Sequence, residues 1–102
     1  MLIEIEETDF NDLVLESSDR KLVLFYAEWA APSIEMRDRL LEHKAEVFAI
    51  DIEKYPQVAL ISNIRAAPTL VVFTNGEIDS FKVGLLSLDK FEGWLERIHY
   101  VW

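Results

Sequence analysis

Apolar and polar positions alternate along the chain in a pattern that predicts five strands. Two continuous apolar runs are typical of buried strands, Leu22–Tyr26 and Val47–Ile50, and the first suggests a strand covered on both faces, as in parallel sheets. A strongly β-branched run predicts another strand over Thr69–Phe73. Leu2 to Ile5 alternates apolar and acidic residues and indicates a short, half-exposed strand. The fifth strand, Ile78–Val83, follows Asn75-Gly76, a strong hairpin signal that makes it antiparallel to the strand before it.

Four helices are predicted between these strands. Thr8-Asp9 is a cap signal, followed at helical spacing by Phe10, Leu13 and Val14 and ended by Ser17-Ser18-Asp19. Pro32 opens the second helix, whose buried face holds Met36 and Leu40, and Pro56 starts a short third helix over Gln57–Ser62 that Asn63 closes in the left-handed conformation. Ser87 caps the last, with an apolar stripe of Leu88, Phe91, Leu95 and Ile98.

The order β-α-β-α-β-α-β-β-α predicts one α/β domain over residues 1–102. Alternating strands and helices favour three parallel strands, and the terminal hairpin adds two antiparallel ones. We therefore expect a mixed five-stranded sheet flanked by four helices.

Charge and composition exclude several classes of partner and of chemistry. The 102 residues carry a net charge of −9, so we expect neither nucleic acid nor an anionic membrane surface as a partner. No cysteine is present, which excludes disulfides and thiolate metal sites, and we expect no metal or cofactor. The chain begins without a basic segment followed by an apolar one, so we expect a cytoplasmic protein, and a monomer.

One segment at a strand-to-helix junction is more specific than the rest, Phe25-Tyr26-Ala27-Glu28-Trp29-Ala30-Ala31-Pro32-Ser33. It resembles the active-site segment of the thioredoxin family, in which Trp precedes Cys-Gly-Pro-Cys. Ala30 and Ser33 occupy the two cysteine positions. Ile64-Arg65-Ala66-Ala67-Pro68-Thr69 is similar to the cis-proline loop of the family, and two later segments match in order and spacing, Asn75-Gly76-Glu77 and Val83-Gly84-Leu85-Leu86-Ser87.

The resemblance implies the thioredoxin fold but not the family's chemistry. The family attacks a substrate disulfide with one cysteine thiolate and resolves the mixed disulfide with the other. Ala30 has no nucleophile, and the Ser33 hydroxyl cannot exchange with a disulfide. Leu24 stands where the family commonly keeps a buried Asp, and Ala49 where a Lys often accompanies it. Asp38 replaces a helix-kinking proline. We expect no catalysis from this chain.

The resemblance also implies a surface for an extended peptide or protein partner. Trp29 would be an exposed aromatic contact, Ala67 would pair its backbone with the partner beside a cis Pro68, and Gly84 would admit the partner backbone. The alternatives are a Trp that covers the sheet end, an ordinary turn proline and a simple bend. The predicted partner-binding residues are Trp29, Ala30, Ala31, Pro32, Ala67, Pro68 and Gly84.

Other polar and aromatic residues have plainer interpretations. His43 lies ten positions after Ser33 on the same predicted helix, about 15 Å away, and cannot serve it as a base. His99, near the C-terminus on the last helix, is not placed near Ser33 either. Arg37 and Arg39 are expected to pair with acidic neighbours of their own helix, Glu35, Asp38 and Glu42, rather than form a basic site. Trp94 is expected to pack the last helix, and exposed Tyr100 and Trp102 would form a second contact patch.

Two functions remain from the sequence. The first is a redox-inactive thioredoxin-like protein that binds a protein partner through the former substrate groove, as an assembly factor, a chaperone-like factor or a subunit. The second is a thiol-disulfide oxidoreductase in which Ala30 and Ser33 are engineered replacements. The apolar Leu24 and Ala49 favour the first function, because removing two cysteines would not require changing the buried pair as well.

Overall fold

Five strands form one mixed sheet in the computed structural model, which describes all residues 1–102. The strands are β1 (Leu2–Glu4), β2 (Arg20–Tyr26), β3 (Val47–Asp51), β4 (Thr69–Thr74) and β5 (Glu77–Val83). Their order across the sheet is β1-β3-β2-β4-β5. β3 pairs in parallel with both β1 and β2, whereas β4 is antiparallel to β2 and to β5. The predicted three parallel strands and C-terminal hairpin are confirmed.

Four helices connect and cover the strands. α1 (Glu7–Phe10) continues directly into a π-helical turn over Asn11–Leu15. The others are α2 (Ala31–Leu40), α3 (Pro56–Ile61) and α4 (Leu88–Arg97). None of these helices is long and apolar enough to span a bilayer.

The Ser87 cap and the turn signals at Asn63 and Asn75-Gly76 act as predicted. Ser87 Oγ accepts the Lys90 N–H at 3.2 Å, and Asn63 follows α3 with φ of 55°. Asn75 and Gly76 take φ values of 53° and 76°, the two left-handed residues that a tight hairpin of this twist requires. The β4–β5 hairpin therefore forms where the sequence places it.

The first helix departs from its prediction. It begins at Glu7, so Asp9 lies in its first turn and accepts the Glu6 N–H at 3.1 Å. Glu16 donates to the carbonyl of Asn11, five residues back, and this wider turn leaves Leu13 43% exposed while Phe10 and Val14 are buried. The predicted inward position of Leu13 is wrong for this reason.

The sheet separates two apolar cores, because successive strand residues point to opposite faces. One core lies under α1 and α3, where Phe10 packs edge-on against Phe25 and Phe73. The other lies under α2 and α4 and contains Leu24, Ala49, Met36 and Phe91. Met36 is fully buried, as predicted.

Candidate functional site

The strand register brings the three predicted site segments to one end of the sheet. β2 ends at Tyr26, just before the Trp29 segment. Its neighbour β4 begins opposite, at the pair Phe25↔Thr69, directly after Pro68. β5 ends at the pair Thr69↔Val83, directly before Gly84. The turn after β2, the Pro68 loop and the Gly84 turn therefore share this end.

Trp29 projects into solvent beside the start of α2. Its side chain is 73% exposed, so the interpretation of a Trp that covers the sheet end is wrong. Ala30 precedes the helix in an extended conformation, Ala31 is its first residue and Pro32 its second, both exposed. Proline suits this turn because its missing N–H would have no helical partner.

Ser33 faces inward from the same turn. It is fully buried, and its Oγ accepts the buried Ala27 N–H at 3.2 Å. The hydroxyl thereby satisfies a backbone donor that would otherwise lie unpaired in the interior. Ser33 stabilises the turn after β2 and presents no nucleophile to solvent.

Neither histidine approaches Ser33. α2 ends at Leu40, so His43 lies beyond the helix, where its Nε2 is 2.6 Å from Glu92 Oε2 and its Nδ1 accepts the Ala45 N–H at 3.0 Å. His99 is exposed beyond the end of α4. Both predicted helix placements are wrong, and the conclusion that Ser33 has no base still holds.

The buried acid and base positions are apolar neighbours. Leu24 and Ala49 pair across β2 and β3, and both are fully buried in the core under α2 and α4. A carboxylate and an ammonium here would each lose hydration worth several kcal/mol. Neither position holds a side chain that could accept or donate a proton.

The Pro68 loop has the predicted backbone geometry. The Ala67–Pro68 peptide is cis, and the Pro68 carbonyl accepts the Gly84 N–H at 2.8 Å, which joins two predicted site residues. Gly84 has φ of 96° and open space where a Cβ would stand. Half-buried Ala67 makes no hydrogen bond through its N–H or its C=O.

The seven predicted residues are not equally accessible. Trp29, Ala31 and Pro32 are exposed, whereas Ala30 and Pro68 are buried. Five cavities of about 290 to 600 Å³ are lined by other residues, and no hydrogen bond joins the Trp29 segment to the Pro68 loop. A small molecule would find little enclosure there, whereas an extended chain needs only an accessible backbone edge and an apolar contact.

Sequence reasoning missed a polar cavity of about 490 Å³ at the same end of the sheet. Tyr26 OH donates to Glu4 at 2.5 Å there, and Arg37 lies over the Tyr26 ring at 5.2 Å. Burial, reinforced by the hydrogen bond to Glu4, raises the pKa of Tyr26 well above its usual range. The side chains of Glu4 and Tyr26 meet across β3, which separates β1 from β2 in the sheet, so no local pattern could have shown this contact.

Arg37 and Arg39, the two arginines of α2, pair with acidic residues of different elements. Arg39 pairs with Glu35 one turn earlier, as predicted, and donates to the Leu86 carbonyl at 2.8 Å. Arg37 instead lies 3.7 Å from Glu28, which precedes the helix. The expectation that Arg37 pairs within its own helix is therefore wrong, because the fold places the turn after β2 within its reach.

The C-terminal aromatics divide between core and surface. Trp94 is buried as predicted and donates its Nε1–H to Ser80 at 3.0 Å. Tyr100 is half-buried with Arg20 over its ring, and Trp102 packs on His43 at 4.7 Å while remaining 46% exposed. Only Trp102 of the predicted second patch offers substantial surface.

No group of three or more acidic or histidine side chains is arranged to bind a metal ion.

These features define a thioredoxin-type α/β domain with an apolar helix start in place of a dithiol. The thioredoxin family model matches residues 1–97. Thioredoxin from Buchnera aphidicola subsp. Baizongia pistaciae is 36% identical over 100 residues, covering 92% of each chain. Thioredoxin from Rickettsia bellii is 33% identical over 103 residues, covering 95% of this chain and 98% of its own.

The fold agrees with a solved structure. A mutant thioredoxin from Halobacterium salinarum NRC-1 superimposes with a TM-score of 0.78 at 28% identity, covering 94% of this chain and 88% of that one. The chain belongs to the thioredoxin family, and it has no cysteine.

Proposed function

We propose that this thioredoxin-family protein is redox-inactive and binds an extended segment of a protein partner at the sheet end that carries Trp29 and the Pro68 loop. It acts as a monomer in the cytoplasm, as an assembly factor, a chaperone-like factor or a subunit. The observation that carries the proposal is Ala67, whose N–H and C=O are both unpaired in a half-buried loop.

An unpaired backbone edge favours a peptide ligand. Ala67 is half-buried, and a partner strand there would pair its N–H and its C=O at once. Trp29 supplies a large exposed aromatic surface at the same end of the sheet, of the kind that dominates binding energy at interfaces. The net charge of −9 favours a protein partner over nucleic acid or an anionic membrane.

The absence of redox chemistry is supported at four positions. Ala30 and Ser33 supply no thiol, and the Ser33 hydroxyl is turned into the core. Leu24 and Ala49 leave the adjacent core without an acid or a base. A docking role needs none of these groups, and it accounts for the exposed Trp29.

Affinity capture from the source cell tests the proposal with two tryptophan variants. Trp29→Ala is expected to reduce capture of the partner at least about tenfold, the loss typical of a central interface aromatic. Trp102→Ala is the matched control, since Trp102 is also exposed but lies beyond α4. Equal capture by the Trp29→Ala variant and the wild type would refute the groove as the docking surface.

Hydrogen exchange of the complex with the captured partner tests whether the partner pairs with the Ala67 backbone. The Ala67 amide has no hydrogen-bond acceptor in the free chain and is expected to exchange rapidly. Binding of an added strand should slow its exchange, while the exposed Val101 amide serves as an unaffected reference. An Ala67 amide that exchanges equally fast in the complex would contradict strand pairing at this loop.

A further inference from the structure

The strand β5 is an open edge of the sheet. It pairs with β4 on one side only, and it has seven residues, whereas the opposite edge strand β1 has three. Gly84, just after β5, donates its N–H inward to Pro68. Hydrogen-bonding directions alternate along an antiparallel strand, so the backbone groups of Val83 and Phe81 point outward. This edge can accept another strand.

Register sorts the side chains of β5 by face. Ile78, Phe81 and Val83 pair with Phe73, Val71 and Thr69, which share one face of β4. A register shift near Val72 makes Asp79 an extra residue, and this bulge puts Ile78 on the same face as the other two. Their side chains are 44%, 60% and 56% exposed.

The other face of β5 is polar. Glu77, Ser80 and Lys82 pair with Thr74, Val72 and Leu70, the alternate residues of β4. Neither Glu77 nor Lys82 has an ion-pair partner within the chain. The edge therefore combines an uncovered apolar row with two unpaired charges of opposite sign.

We propose that two copies of this chain associate through antiparallel pairing of β5 with β5 of the second copy, with Ile78 opposite Phe81 and Glu77 opposite Lys82. The twofold axis passes between Asp79 and Ser80, so each of these pairs occurs twice. This pairing is independent of the proposed function, because it uses the edge strand and not the Trp29 surface.

In this register, each face of β5 meets side chains of matching character on the second copy. Apolar residues meet apolar residues on one face, and an acid meets a base on the other, which is the arrangement that stabilises cross-strand neighbours. A slip by one residue would place Ile78 opposite Lys82 and put apolar and polar side chains on the same face. The complementarity points to a second copy as the occupant of this edge.

A small contact area and repulsion between the two negatively charged chains make the pairing weak. Six residues per strand cover much less than the roughly 1,200 Å² of a standard interface. Two chains of net charge −9, each about 32 Å across, also repel one another, although a Debye length of ~8 Å at ~0.15 M salt screens most of this repulsion. We expect a dissociation constant on the order of 0.1 mM. The chain is a monomer at micromolar concentration, as expected from its sequence, and pairs toward millimolar concentration.

Sedimentation equilibrium from about 10 µM to about 1 mM, at about 0.15 M salt, tests this pairing. The wild-type mass is expected to rise from 11.9 kDa toward twice that value. Glu77→Lys and Lys82→Glu should each weaken association about tenfold, because each variant places like charges opposite one another twice. An equimolar mixture of the two variants restores both opposite-charge pairs and should recover association.

Matched controls carry the same change in net charge elsewhere. Glu16→Lys and Lys44→Glu alter exposed residues outside β5 and should leave association close to that of the wild type. Slower exchange of the Phe81 amide at the higher concentration would support strand pairing independently. Circular dichroism establishes that each variant is folded.

Three results would overturn the proposal. A wild-type mass that stays at 11.9 kDa up to about 1 mM excludes the pairing. If the Glu77→Lys and Lys82→Glu variants associate as strongly as the wild type, the contact lies on another surface. Variants that are weakened singly but do not recover when mixed exclude this register.

Discussion

At the scale of single residues, the Ser33 hydroxyl forms its hydrogen bond outside its own helix. An ordinary helix-start serine would use its hydroxyl to cap its own helix. Ser33 instead turns inward and binds the Ala27 N–H, at the end of the strand that precedes the helix. A position that holds a reactive thiol elsewhere in the family thus holds a group that stabilises the local fold.

Ser33→Ala is expected to lower the free energy of unfolding by about 1–3 kcal/mol, because it leaves the buried Ala27 N–H without an acceptor. Urea denaturation followed by circular dichroism measures the change. Ser18→Ala is the control: Ser18 is exposed and its hydroxyl makes no hydrogen bond, so this variant should remain within about 0.5 kcal/mol of the wild type. Equal stability of the two variants would show that the Ser33 hydrogen bond contributes nothing.

At the scale of elements, backbone geometry decides which glycines are required. Gly76 has φ of 76°, and a Cβ on it would lie 2.1 Å from the Leu15 carbonyl oxygen at the end of the π-helical turn. Gly93 lies inside α4, where a Cβ would meet only the Arg97 side chain at 3.5 Å. The hairpin therefore packs against the first helix through a position that admits no side chain.

Replacing these two glycines by alanine should change stability in opposite directions. Gly76→Ala is expected to destabilise the chain by about 2 kcal/mol or more, since it combines a strained backbone with a backbone collision. Gly93→Ala is expected to stabilise it by about 0.5–1 kcal/mol through helix propensity. Thermal unfolding of both variants at equal concentration measures the difference. A Gly76→Ala variant as stable as the wild type would contradict the close contact between hairpin and helix.

At the scale of the whole molecule, the fold of a redox family is kept while its reactive groups are absent. Leu24 and Ala49 sit side by side in the core under α2 and α4, and Ala30 and Ser33 lie at the start of α2. The positions of Leu24 and Ala49 depend on the pairing of β2 with β3, whereas those of Ala30 and Ser33 depend on where α2 begins. The missing thiols and the missing acid–base pair therefore belong to separate elements of the fold.

Restoring both thiols tests whether the scaffold still supports catalysis. The Ala30→Cys/Ser33→Cys variant is expected to reduce a disulfide-bonded protein, with a dithiol donor, roughly 100-fold more slowly than a thioredoxin that keeps its buried acid. That acid–base step contributes about 10²–10⁴-fold, and Leu24 and Ala49 cannot supply it.

A thiol titration and a circular dichroism spectrum establish that the double variant is folded and reduced. Turnover at the rate of an active thioredoxin would instead support the alternative interpretation, in which Ala30 and Ser33 are replacements in an oxidoreductase. The comparison therefore separates the two functions that remain open from the sequence.

Sequence patterns with a local cause predicted structure well. Apolar runs of four and five residues predicted the buried strands, because a strand covered on both faces has no polar side. The Asn75-Gly76 turn and the Ser87 cap depend on the residues themselves and formed as expected. The family segments located the cis peptide before Pro68, which residue chemistry alone does not determine.

Contacts between distant segments were decided only by the tertiary structure. The inward turn of Ser33, the pairing of Arg37 with Glu28, the cavity beside Tyr26 and the outward position of Leu13 depend on where neighbouring elements pack. The sequence by itself determined that the chain has no thiol, and the resemblance to the family implied that the missing groups belong at positions 30, 33, 24 and 49. The tertiary structure decided which surfaces remain for binding, because exposure of Trp29, the unpaired backbone of Ala67 and the open edge of β5 are consequences of how the sheet ends.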